Sequence, residues 1–159
     1  MHYWIDGYNL LFRITKNYRE MKQNERKLLA SLNQSIILLK YQATVVFDGR
    51  EKDPPEALRR NFDALALIYT PHLQTADDYI LEALSEAADP TKEVVVSSDY
   101  DLLRKAKQRG AKILTIEEFL SKLVKKKQKK KVANEKVFQE TSTELKRLLK
   151  IFEDRLKEE

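Results

Sequence analysis

Four aspartates lie where strand-like apolar runs give way to polar sequence: Asp6 after HYWI, Asp48 after ATVVF, Asp77 after LALIYTPHLQTA and Asp99 after VVVSS. Parallel strands of one open α/β sheet set their carboxyl ends on a shared edge, and such sheets bind ligands in the crevice there. The four carboxylates would then converge on one small volume. Like charges that close raise one another's pKa and resist joint ionisation. A divalent cation removes the conflict, and oxygen donors without sulfur or imidazole favour Mg2+ or Mn2+ over zinc. Such ions serve phosphoryl chemistry, so the pattern predicts a metal-dependent phosphodiesterase.

Each acid has a plainer role to set beside the chemical one. In IDGYN, Asp6 and Gly7 are ordinary turn residues, but an unpaired charge at the end of a short apolar strand is costly, and Asn9 is placed to orient that carboxylate. In TADDYI, Thr75 reads as an N-cap with Asp78 at the third helical position. Capping needs one carboxylate, which leaves Asp77 as the ligand. In SSDYDL the same reading makes Ser98 the cap and Asp101 the third position, leaving Asp99 as the ligand with Asp101 second. Asp48 opens the charged loop GREKDPPEALRR, whose Arg50, Lys52, Arg59 and Arg60 are candidate phosphate contacts. Tyr8, Phe12, Tyr79 and Tyr100 flank these motifs and offer faces on which unpaired bases stack.

The elements that must position these residues follow from periodicity. Strands are expected at 2–6, 43–48, 65–70, 93–97 and 112–115, and helices at about 24–40, 76–88, 100–109 and 117–127, with a short helix near 56–62. Leu28, Leu32, Ile36 and Leu39 share one helical face, as do Ile80, Leu84 and Ala88. The continuous runs Thr44–Phe47 and Val94–Val96 mark strands covered on both faces. Strands alternating with helices predict a mostly parallel sheet in a three-layer α/β domain over residues 1–121.

Charge divides the rest. Residues 1–121 hold 17 Lys and Arg against 18 Asp and Glu, and residues 132–159 hold 6 against 7. The whole excess behind the net charge of +5 therefore lies in residues 122–131, KLVKKKQKKK. Its Lys125, Lys126, Lys127, Lys129, Lys130 and Lys131 are candidate RNA contacts, because lysine runs bind phosphate backbones through counterion release. Residues 132–159 form a third unit, with an amphipathic helix over 134–156 that would reach roughly 35 Å. Its apolar stripe must cover the domain itself, a second copy or a larger partner.

The chain has no cysteine and only His2 and His72. Disulfides, thiolate zinc sites, thiol nucleophiles and a Ser-His-Asp triad drop out or become poor readings. No apolar stretch approaches the length of a spanning helix and no basic-then-apolar leader is evident, so a soluble cytoplasmic protein is expected.

Taken in order and spacing, IDGYNLLF, VVFDGR, TADDYI and VVSSDYDLL resemble the NYN branch of the PIN-like nucleases, and within it the YacP-like group, related to a ribosome-associated endoribonuclease. The resemblance covers about residues 1–127. It implies a PIN-like α/β/α sandwich, an acidic pocket for one or two Mg2+ or Mn2+ ions, and hydrolysis of single-stranded RNA by metal-activated water, with the ribosome as a candidate partner. Asp6, Asp77 and Asp99 match the family's metal-binding acids and Asn9 its signature asparagine; Asp48 matches a less uniformly assigned acid.

Besides a reading in which the long terminal helix is the main function, as a dimerisation or adaptor element, two other classes compete. One is a binding module that docks on RNA or the ribosome without chemistry. The other is a small-ester phosphatase, but its pair of aspartates two apart after the first strand is missing, since Gly7 and Tyr8 follow Asp6.

Overall fold

The computed structural model describes residues 1–15, 18–49, 58–133, 147, 150 and 151. Its sheet is built from β1 (His2–Asp6), β2 (Gln42–Phe47), β3 (Leu58–Phe62), β4 (Leu65–Tyr69), β5 (Glu93–Val96) and β6 (Lys112–Leu114). The strand order is β3-β4-β2-β1-β5-β6, with every pairing parallel except the β3–β4 hairpin. The helices are α1 (Gly7–Ile14), α2 (Tyr18–Leu38), α3 (Ala76–Glu86), α4 (Tyr100–Gln108) and α5 (Ile116–Ala133). Among the described residues no helix is long and apolar enough to cross a membrane.

Strand parity sorts the core into two layers, because successive side chains point to opposite faces. Tyr3, Ile5, Val45, Phe47, Leu67, Val94 and Val96 pack with residues of α1, α2 and α5. Val46, Ile68 and Val95 pack with Ile80 and Leu84 of α3 and with Leu102, Leu103 and Ala106 of α4. The result is the three-layer, mostly parallel α/β/α arrangement that the alternation of elements predicts. From β1 the chain winds outward to β2 and β4, then returns to the other side of β1 for β5 and β6. The carboxyl end of β1 is thus the topological switch point, where open α/β sheets hold their ligands.

Three elements depart from the expected ones. Helix α1 is additional: Asp6 ends β1 and caps α1 at once, with Gly7, Leu10, Leu11 and Ile14 buried. Helix α2 begins at Tyr18, well before residue 24. The short helix expected near 56–62 is instead strand β3 over its described part, turning through Asp63 and Ala64 into β4. Leu58 and Phe62 are the only apolar residues of β3, too few to declare a period, and pairing with the buried β4 decides the outcome. Asp63 takes a positive φ of 47° in that turn, a region Asp tolerates better than most residues.

Helix α5 continues beyond residue 127, crossing residues 121 and 131 without a break as far as Ala133. Of the expected 134–156 helix, residues 147, 150 and 151 are helical; the remainder lies outside the described residues, as do Arg50 and Lys52.

The turn from β1 into α1 depends on a missing side chain. A Cβ on Gly7 would stand 2.5 Å from the Phe47 ring. That ring is itself stacked on Tyr69 at 5.3 Å and met edge-on by Tyr8 at 5.2 Å, so it has little room to yield. Gly7→Ala is expected to destabilise the protein by about 1–3 kcal/mol through overpacking, read as a lower denaturant midpoint. An unchanged midpoint would show that Phe47 is free to move.

Candidate active site

Asp6 lies at the centre of the carboxyl edge and is only 8% exposed. Its Oδ1 accepts from the Asn9 backbone N–H at 3.3 Å and its Oδ2 from Asn9 Nδ2 at 3.0 Å. The same Nδ2 donates to Ser97 Oγ at 2.9 Å. Ser97 Oγ also accepts from the Asp99 backbone N–H at 3.0 Å. One buried serine therefore joins the start of α1 to the start of α4.

Asp99 caps α4, its Oδ1 accepting from the N–H groups of Asp101 at 2.9 Å and Leu102 at 3.4 Å. The expected cap, Ser98, is displaced by one residue: Asp99 itself has the extended backbone of a cap, and Ser98 is exposed. Asp101 turns along the helix flank to pair with Arg104 at 2.7 Å and Lys105 at 2.8 Å. Those partners, Lys105 first, hold its carboxyl below the usual range.

On α3 the expected cap is found, Thr75 Oγ1 accepting from the Asp78 N–H at 3.1 Å. Asp77 occupies the same first turn. Helical Cα–Cβ bonds tilt toward the N-terminus, which aims Asp77 back at the sheet edge. Asp48, exposed just beyond β2, accepts from the Ala76 N–H and fastens the start of α3 to that strand. Thr70 closes the neighbouring loop, accepting from the Gly49 N–H at 2.7 Å and donating to the Gln74 carbonyl at 2.6 Å.

Electrostatics register the crowding. Burial, followed by the charges of Asp48 and Asp99, pushes the Asp6 carboxyl up to about 6 despite its hydrogen bonds from Asn9. Asp77 is pushed up to about 7, first by burial, then by Asp6, by a side-chain hydrogen bond with Asp99, and by Asp48. Among the described residues, no three His, Cys, Asp or Glu side chains are arranged to hold one metal ion directly. The donor chemistry, acidic oxygens pressed on one another, fits a hard divalent cation.

The basic residues fall elsewhere. Arg59 and Arg60 are exposed on edge strand β3. Arg59 pairs with Ile68, Ile68 with Val46 and Val46 with Asp6, which places it roughly 14 Å from Asp6 at the usual strand spacing. Lys122 stands 5.9 Å over the Tyr3 ring and Lys126 4.3 Å over Tyr41. Tyr3 is near the start of β1 and Tyr41 just precedes β2, so this part of the lysine run lies at the amino edge, opposite the acids. Lys125 and Lys129 are exposed and Lys127 is half-buried; the side chains of Lys130 and Lys131 lie outside the described residues.

Ser97 is the site residue that motif reading passes over. Parity would have found it: β1 and β5 pair with Ile5 beside Val96, and one further step sets Ser97 beside Asp6.

Two outcomes follow. Ser97→Ala removes the acceptor shared by Asn9 and Asp99 and is expected to destabilise the fold by about 1–3 kcal/mol, measured by thermal unfolding; no change would mean that the two caps stand independently. For pH, Asp6 and Asp77 have folded values of about 6 and about 7 against an ordinary 3.8. Folding takes up protons in that window, so their contribution is fully present below 3.8 and is lost as pH rises through about 6 and about 7. The metal-free protein should therefore melt at lower temperature at pH 8 than at pH 5, and Asp77→Asn should reduce the difference. A difference unaffected by Asp77→Asn would contradict the repulsion.

Comparison with known proteins agrees with this fold. No curated protein matches the sequence. The chain is similar in structure to Rae1 (YacP) from Bacillus subtilis, at 20% identity and a TM-score of 0.61, covering 99% of this chain and 91% of that one. It is similar also to the W164L mutant of that protein, at 19% identity and a TM-score of 0.64, covering 91% and 90%. At this identity the likeness establishes a common fold. The model of the YacP-like NYN domain matches residues 3–159, so the lysine-rich stretch and the terminal segment fall inside the family pattern, which runs beyond the residues 1–127 that the motif resemblance covers. With the match running through nearly the whole sequence, this chain belongs to the YacP-like NYN family and carries its nuclease-like domain.

Proposed function

We infer that the protein is an endoribonuclease that hydrolyses phosphodiester bonds of single-stranded RNA with Mg2+ or Mn2+ at the carboxyl edge of its sheet. The observation that carries this reading is the cluster at the carboxyl edge, where Asp6 is tied through Asn9 and Ser97 to the start of α4 at Asp99 and Asp77 stands in the first turn of α3, its carboxyl raised by burial and by Asp6 and Asp99. Asp6, Asp77 and Asp99 would hold the ion, with Asp48 beside them. A divalent cation, when bound, neutralises phosphate oxygens and lowers the pKa of water for in-line attack.

The chain's own residues set the conditions. Asn9 fixes both oxygens of Asp6 while leaning on Ser97, so Asp6 does not have to be oriented at the moment of reaction. Asp77 must lose its proton before it binds a cation, which ties activity to pH above about 7. Arg59, in register with Asp6 across the sheet, is placed to meet a phosphate several nucleotides from the bond cut.

The lysines have a separate task in this reading. Their position at the amino edge supports docking on a larger polyanion while the acids face the strand to be cut. The ribosome, which the sequence resemblance suggests, is a candidate for that surface.

Asp6→Asn, Asp77→Asn and Asp99→Asn are each expected to lower metal-dependent cleavage of an unstructured RNA by roughly a hundredfold or more while circular dichroism stays native. Retained cleavage in any two would move the chemistry elsewhere. Lys125→Gln with Lys129→Gln should flatten the salt dependence of RNA binding by about two phosphate contacts; an unaltered slope would remove the lysines from the RNA surface.

A further inference from the structure

The geometry points to Tyr100 as the stacking platform for the base beside the scissile phosphate, an assignment that rests on the nuclease reading above. Tyr100 is 77% exposed, unusual for a large ring in a helix whose other apolar residues are well used. Leu102, Leu103 and Ala106 supply the buried face of α4. Asp101, Arg104 and Lys105 are joined in ion pairs. The fold therefore asks nothing of the Tyr100 ring.

Its position is informative. Tyr100 is the first residue of α4, between the capping Asp99 and the paired Asp101. Because helical Cα–Cβ bonds tilt toward the N-terminus, a side chain here projects past the helix end toward the edge that carries the acids. The backbone beneath it is firmly held, since Asp99 accepts two N–H bonds of the first turn and donates its own N–H to buried Ser97. A ring on a fixed backbone next to an acid that would hold the ion suits a base one nucleotide from the reacting phosphate. Stacking of this kind is sequence-tolerant, because every base has a π-face.

The other aromatics near the edge differ. Tyr8 meets the Phe47 ring edge-on at 5.2 Å, and Tyr79 packs beside Trp4 at 6.4 Å. Phe12 is 55% exposed, but it lies a helical turn beyond Asn9 on the face of α1 away from buried Leu10, Leu11 and Ile14. It serves as the comparison.

The experiment maps the wild-type cut in a short unstructured RNA, then places an abasic nucleotide on either side of that bond. Binding is followed in EDTA with 2-aminopurine placed in turn at each nucleotide of that RNA. Tyr100→Ala is expected to raise KM by about tenfold with little change in kcat, and to abolish the fluorescence quenching. Tyr100→Phe should restore both. The abasic substitution on the stacked side should penalise the wild type and add nothing to Tyr100→Ala. If the wild type cleaves and Tyr100→Ala has an unchanged KM, or if the two penalties multiply, or if Phe12→Ala shows an equal loss, the assignment is overturned and the nuclease reading stands. Tyr100-dependent quenching without cleavage would support the platform and overturn the nuclease reading. Neither cleavage nor binding would overturn both.

Discussion

Mutual repulsion among carboxylates at one end of a parallel sheet is the constraint around which this molecule is organised. Asp6 ends the central strand, and the charges of Asp48 and Asp99 reach it there. Asp77 returns to the same place from α3, where burial and the nearness of Asp6 and Asp99 raise its carboxyl. Such a cluster opposes folding, so something must hold it together. Two apolar layers do so, one on each face of the sheet. The helix caps then fix the acids locally: Asp6 caps α1, Asp99 caps α4 and Asp48 binds the first N–H of α3. Asp6, Asp48 and Asp99 thus each serve a helix start while lying in the cluster, which reconciles the capping and ligand roles that seemed to compete in the sequence.

The two ends of the sheet carry different charge. Acids occupy the carboxyl end, whereas Lys122 and Lys126 lie over Tyr3 and Tyr41 at the amino end. A single helix makes the connection, since α5 begins after β6 and runs unbroken into the lysine-rich stretch. Phe119, Leu120 and Leu123 bury its near face, so the direction in which the lysines leave the domain is set by core packing. The family match through Glu159 makes that basic helix part of the family pattern.

Much of this was legible in the sequence because it depends on local chemistry. Val94, Val95 and Val96 announce a strand covered on both faces, and Thr75 with Asp78 announces a helix start; both are present. What escaped depends on long-range pairing. Residues 58–62 carry too few apolar side chains to declare a period and become a strand only because β4 lies beside them. Helix α1 was hidden because Asp6 and Gly7 read equally well as a turn, and the burial of Leu10, Leu11 and Ile14 decides between the two. Ser97 was passed over for Ser98 because the choice between adjacent serines rests on register with β1.

The most direct test of the carboxylate cluster is calorimetric titration of the metal-free protein with Mn2+ at pH 6.5, repeated in buffers of different ionisation enthalpy. With Asp77 and Asp6 raised to about 7 and about 6, cation binding has to displace protons, and release of about one proton per protein is the expected result. Asp77→Asn should remove most of that release. Saturable binding without proton release, or no saturable binding, would contradict the account, because the carboxylates would then not be sharing the charge that the cation replaces.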